Sequence, residues 1–130
     1  MKTLQEVREL FTKDRFATEN GAIIEEIGDY YAKCSLIITP AHCNAMGAVM
    51  GGVPFMLADF AFAVAANWQE MRTVSIDSHI AFVGAAKGQK LIAEARCLKN
   101  GHTTCYYTVE VKDDLGTVVA EVAITGFHKR

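Results

Sequence analysis

A chain of 130 residues with 51% hydrophobic side chains has the length of one domain, 1–130, and enough apolar mass for a buried core, which excludes a disordered segment. Its net charge of −2, from 15 acidic against 13 basic residues, leaves no basic footprint for nucleic acid. Cys34, Cys43, Cys97 and Cys105 form no CxxC pair, and only His42-Cys43 sets a His beside a Cys, so neither a metal site nor a disulfide framework is expected.

The first residues, MKTLQEVREL, are too charged for a secretory signal, and a cytoplasmic location is expected. Thr3-Leu-Gln-Glu6 has the form of a capping box. With the stripe Leu4, Val7, Leu10 and Phe11 behind it, it predicts a short helix over 3–13. Two apolar runs, 21–27 and 30–39, read as strands joined by a tight turn at Gly28-Asp29, and Pro40 ends the second. A loop carrying His42 and Asn44 leads to Gly51-Gly52-Val53-Pro54. There a nearly all-apolar helix opens and runs to about Trp68, roughly 22 Å long. From Ala45 to Gln69 the one ionisable side chain is Asp59. Glycines, a proline and that carboxylate make a buried helix a better account than a membrane span.

The second half alternates. Over 73–82, Val74, Ile76, Ile80 and Phe82 share one face. Over 90–98 the inward set is Leu91, Ala93, Ala95 and Cys97; over 103–112 it is Cys105, Tyr107, Val109 and Val111; over 118–127 it is Val118, Ala120, Val122 and Ile124. The order predicts an α+β architecture: a six-stranded antiparallel sheet wrapped around one long central helix, with a short N-terminal helix.

Asp59 is the sharpest chemical signal. Phe55, Met56, Phe62 and Ala63, its helical neighbours, cannot pair with it, so it must reach another element, solvent or a substrate. Gly51 and Gly52 stand where unpaired N–H groups and the positive end of the helix dipole face outward, an arrangement that can hold an oxyanion or simply turn the chain. His42 and Asn44 suit loop bonding as well as a site. Ser75 is an ordinary strand serine by itself. Phe62 and Phe82 fit an aromatic pocket or a core. Lys87, Lys90, Arg96 and Lys99 read as a solvated face.

His42-Cys-Asn44-Ala-Met-Gly47-Ala-Val-Met50-Gly51-Gly52, with Leu57-Ala-Asp59 beyond it, resembles the signature of hotdog-fold thioesterases, in their phenylacetyl-CoA thioesterase-like (PaaI-like) branch. The resemblance spans about residues 36–128 and takes in Val74-Ser75-Ile-Asp77, Ile80-Ala-Phe82 and the Gly84–Lys87 turn. It implies a hotdog fold and hydrolysis of an acyl-CoA thioester to free acid and CoA. It implies Asp59 as nucleophile or general base, the Gly51 N–H as the group that polarises the carbonyl, Asn44 as a positioning residue, and Ser75 as the group that orients water or carboxylate. His42, Met50, Gly52, Phe62 and Phe82 would meet the substrate. It also implies a homodimer or homotetramer with sites between subunits, and no cofactor beyond the CoA of the substrate. The family usually has His where this chain has Met50, a weak acceptor, which keeps a low-turnover acyl-CoA-binding protein as an alternative. A hotdog dehydratase or hydratase is a second alternative, disfavoured because the helix carries no His.

Overall fold

The computed structural model describes residues 1–130. Helix α1 (Leu4–Phe11) starts at the expected cap. Thr3 Oγ1 accepts the Glu6 N–H at 3.2 Å, and the Glu6 carboxylate accepts the Thr3 N–H at 2.9 Å. A second short helix, α2 (Arg15–Glu19), follows it where no element is predicted. Strands β1 (Ile23–Gly28) and β2 (Tyr31–Ile37) form a hairpin whose turn falls one residue later than expected, on Asp29-Tyr30. Gly28 is taken into the ladder opposite Tyr31 and its carbonyl accepts the Trp68 Nε1–H at 2.8 Å, so Tyr30 takes the left-handed φ of 51°. Helix α3 (Gly52–Asn67) is the long apolar helix, followed by β3 (Thr73–Phe82), β4 (Lys90–Asn100), β5 (Thr104–Asp113) and β6 (Val118–His128). No helix is long and apolar enough to cross a membrane.

The six strands are antiparallel throughout, in the order β1-β2-β4-β5-β6-β3. α3 packs on one face of this sheet, which is the expected α+β arrangement. Leu57, Ala61, Val64 and Phe62 of α3 meet Leu36, Leu91, Tyr107, Val109, Val122 and Ile124 in one core. Ala32, Ala93 and Ala95 keep the facing strands small where the helix lies against them. Each fully buried Leu or Val contributes about 1.5–3 kcal/mol relative to an exposed one. α1 closes the core from outside through Phe11, whose ring meets Phe60 edge-on at 6.2 Å.

Two buried polar side chains fix how the elements meet. At the C-terminal end of α3, Asn67 Oδ1 accepts the N–H groups of Arg72 and Thr73 at 2.9 and 2.8 Å, while its Nδ2 donates to the Thr73 carbonyl at 2.9 Å. The helix end and the start of β3 are thereby held together. Asp113 accepts four backbone N–H groups, from Lys87, Gly88, Leu115 and Thr117, at 2.8–3.0 Å. Burial disfavours its charge, yet these donors outweigh that cost and hold the carboxyl far below its ordinary value.

β3 departs from the predicted pattern. A bulge at Ile76 shifts the register between Ser75 and Asp77, so the face changes partway along the strand. Ser75, Ile80 and Phe82 are register partners of Gly126, Val122 and Ala120 on the helix-facing side, whereas Val74 pairs with Phe127 on the other. The expected single face of Val74, Ile76, Ile80 and Phe82 is therefore split. A second bulge at the β5–β6 end puts Val118 opposite Lys112, on the outer face rather than inward. β3 is also one of the two edge strands, β1 being the other, and Val74, Ile76 and Phe82 lie exposed on it.

Candidate active site

Almost every side chain of α3 is buried or half-buried, and Asp59 is the exception among residues with a side chain beyond Gly52. It lies on the outward stripe Met56, Asp59, Ala63 and Ala66, spaced to recur on one helical face. The Asp59 carboxylate takes part in no hydrogen bond and no ion pair within the chain. It lines a cavity of about 330 Å³ whose other wall is the α1–α2 elbow, Lys13 to Ala17, with Met56 and Phe60 at its base. Removal from water, and then the charge of Asp14, push the Asp59 carboxyl above its ordinary value. An unpaired carboxylate with raised proton affinity in a cleft has the properties of a general base.

The other chemical feature is the start of the same helix. Neither the Gly51 N–H nor the Gly52 N–H donates within the chain, and Pro54 in the first turn has no N–H to donate. Phe82 lies directly against Gly51: a Cβ there would stand 2.9 Å from the ring Cζ. Gly51 and Phe82 line a second cavity of about 480 Å³ with Pro54, Val83 and Ala86. Met50 is exposed and lays its terminal methyl over Gly52, 2.8 Å from where a Cβ would be.

The loop before the helix is organised by two of the predicted residues. His42 is buried, and its Nδ1 accepts the Thr39 N–H at 3.0 Å. Its Nε2 therefore carries the hydrogen and donates to the Asn20 carbonyl at 2.8 Å. Both ring nitrogens are spent inside the chain, where His42 ties the loop to Thr39 and Asn20. Asn44 Oδ1 accepts the N–H groups of Met46 and Ala48 at 3.0 and 3.2 Å, and Gly47 completes the turn at φ 82°. Its Nδ2 keeps no partner in the chain and stays available.

Phe62, expected at the substrate, is in the core. It meets Tyr107 edge-on at 5.1 Å and packs under Gly126. Three positions along the helix from Asp59, it has turned to the sheet. Ser75 sits exposed on the helix-facing side of β3 and bonds to neither Asp59 nor Asn44. Asp14 has no place in the sequence-derived set, since it stands in what reads as the link after the first helix; only the fold brings it to Asp59.

Within one chain the two reactive features do not meet. Gly51 and Asp59 are eight positions apart, which is about 12 Å along the helix axis and about 80° around it. Their cavities share no lining residue.

A sequence model of the thioesterase superfamily matches residues 46–120, from the loop before Gly51 into β6. A relative from Archaeoglobus fulgidus, named as a candidate esterase, is 34% identical over 112 residues, spanning 85% of this chain and 73% of the relative. Acyl-coenzyme A thioesterase PaaI of Escherichia coli is 28% identical over 120 residues, 92% of this chain and 86% of PaaI. The solved structure of the Escherichia coli PaaI protein, from the phenylacetic acid degradation operon, matches with a TM-score of 0.90 at 25% identity, covering 97% of this chain and 92% of that one. An antiparallel sheet of this strand order against one apolar helix, with the superfamily match lying across that helix and most of the sheet, identifies the chain as a member of the thioesterase superfamily, a PaaI-like hotdog protein and a thioester hydrolase.

Proposed function

We propose that the chain hydrolyses acyl-CoA thioesters in a site shared by two copies, with Asp59 from one and the Gly51 N–H from the other. The observation that carries this reading is the pairing of an unpartnered carboxylate with unpartnered helix-start N–H groups, about 12 Å apart along one axis. A carbonyl under attack needs both within about 3 Å. Two antiparallel copies of α3 would bring the start of one beside Asp59 of the other. β3 favours such pairing: it is a ten-residue edge strand with exposed Val74, Ile76 and Phe82, the kind of edge that folded proteins cover.

In this reading the thioester oxygen accepts the Gly51 N–H, with Gly52 beside it. Asp59 either attacks the acyl carbon or takes a proton from the attacking water. The carbonyl electrons move onto oxygen, return as the C–S bond breaks, and the CoA thiolate leaves and is protonated; where Asp59 is the nucleophile, water then hydrolyses the acyl–Asp59 anhydride and frees the acid. The free Nδ2 of Asn44 and the Ser75 hydroxyl are the polar groups left to orient water or carboxylate. Phe82, against Gly51, is the predicted substrate-contacting aromatic that remains at a cavity. The reaction requires only substrate and water.

Free-thiol release from a panel of acyl-CoAs, compared between the native protein and Asp59→Asn, tests the reading. A folded variant that loses at least about 100-fold in rate is expected. An equally active variant refutes it. Exposed Met50, in place of the family's usual His, supports a second reading as an acyl-CoA-binding protein with little turnover. Tight acyl-CoA binding without thiol release would establish that alternative.

A further inference from the structure

Asp14 stands at the N-cap of α2, where an Asp ordinarily spends its carboxylate on the first free N–H groups. Here it makes no such bond. Its backbone is nonetheless fixed: the Asp14 N–H donates to the Phe11 carbonyl at 3.0 Å, and its own carbonyl accepts from Thr18 N–H and Oγ1 at 3.1 and 3.0 Å. Neither neighbouring cation takes the carboxylate. Arg15 pairs with Glu19, and Lys13 forms no ion pair. The result is an unspent carboxylate on a fixed stretch of backbone, lining the same 330 Å³ cavity as Asp59.

We infer that Asp14 is a positioning residue of the hydrolytic site, one that with Asp59 brackets the attacking water between α2 and α3. The inference rests on the acyl-CoA hydrolase reading and selects its general-base form. A water between two acceptor-only carboxylates donates one hydrogen to each. Asp59 takes its proton as the water oxygen bonds to the acyl carbon. The C–S bond then breaks, the electron pair leaves with sulfur, and the proton passes from Asp59 to the thiolate. Asp14 holds the second hydrogen, which stays on the acid product until that product ionises, and Asp14 itself neither gains nor loses a proton.

The groups around Asp59 support this assignment. α3 carries no other ionisable side chain, and its inner face meets only the apolar face of the sheet. The charged residues facing Asp59 across the cavity are Lys13, Asp14 and Arg15. Of these, Asp14 is the one whose charge registers on Asp59, and loss of water raises Asp14 in its turn.

Asp14→Asn keeps a good capping residue and the shape of the side chain, so the fold is retained. Two measurements on the full chain decide the matter. The first is the titration of the Asp59 carboxyl carbon by NMR, which is independent of turnover. It is expected to move to lower pH in Asp14→Asn. The second is the pH profile of acyl-CoA hydrolysis. Asp14→Asn is expected to lose about 10- to 100-fold in kcat with little change in KM, its acid limb displaced downward, and Asp14→Glu to recover part of the loss. An unmoved Asp59 titration, or a kcat equal to that of the native protein, overturns the role of Asp14 and leaves hydrolysis by Asp59 standing. A native protein that releases no thiol from any acyl-CoA overturns the hydrolytic reading and this role with it, whatever the titration shows.

Discussion

Replacing Gly51 separates its two contributions, a donor N–H and the absence of a side chain. Gly51 has φ −56° and its N–H has no acceptor in the chain, so proline fits the backbone and removes the donor without breaking an internal bond. Alanine keeps the donor and adds only a Cβ. That atom would stand 2.9 Å from Phe82 Cζ and 3.1 Å from Cε1. Ordinary contact begins near 3.4 Å, so the ring or the glycine must give about half an ångström. A displacement of this size at a reacting centre costs about 10-fold in kcat, or about 1.4 kcal/mol of barrier. Loss of an oxyanion donor costs about 100- to 1,000-fold, or about 2.7–4 kcal/mol. Gly51→Pro is therefore expected to fall well below Gly51→Ala in kcat, and Phe82→Ala to relieve the alanine variant while leaving the proline variant impaired. Steady-state thiol release on variants with matched thermal melts measures this. If proline is no worse than alanine, the Gly51 N–H is not the donor.

Asp59→Asn is expected to raise Tm at neutral pH. The raised carboxyl is harder to ionise in the folded chain than in the unfolded one, so its charge opposes folding above its folded midpoint and ceases to do so as pH falls; a thermal melt series across pH 4–8 that shows no such gain refutes it. Asp113 behaves oppositely. Its lowered carboxyl stabilises the fold above the ordinary carboxylate value of 3.8, and that contribution is lost as acid protonates it. Asp113→Asn, which strands two of four N–H groups, is expected to lower Tm by about 10 °C or more and to flatten the acid limb of the stability profile. Phe62→Ala is expected to cost about 3–5 kcal/mol in denaturant melts while leaving the order of acyl preference unchanged; the reverse outcome would return Phe62 to the substrate pocket.

Much of the fold was legible because its signals are local. The Thr3–Glu6 cap, the alternation of β4 and β5 and the long apolar run of α3 each fix their own element without help from the rest. β3 was misread because one extra residue, Ile76, reverses the alternation, and a bulge leaves no mark in composition. The hairpin turn slipped by one because Trp68, distant in sequence, captures the Gly28 carbonyl. Within the candidate site, Asp59 stands out in the sequence as a lone charge in an apolar helix, and Gly51 as a helix start without side chains. His42 and Asn44 were legible as polar loop residues, but their bonds to Asn20, Thr39 and Ala48 exist only once the loop closes. Phe62 was ambiguous, since an aromatic three positions from Asp59 faces either cavity or sheet depending on small rotations of the helix. Asp14 lay in a link whose packing against α3 no local pattern encodes.

The Asp113 carboxylate reaches further than the turn that contains it. Two of the amides it holds belong to Lys87 and Gly88, immediately after Ala85 and Ala86, which wall the Gly51 cavity. Exposed connections between strands ordinarily accept insertions and length changes freely. This one does not have that freedom, because lengthening it by a residue would pull a backbone amide off a buried acceptor. Variation in what the cavity admits is thus channelled into side-chain replacement at Phe82, Val83 and Ala86, with the length of the segment held constant by a residue on another strand.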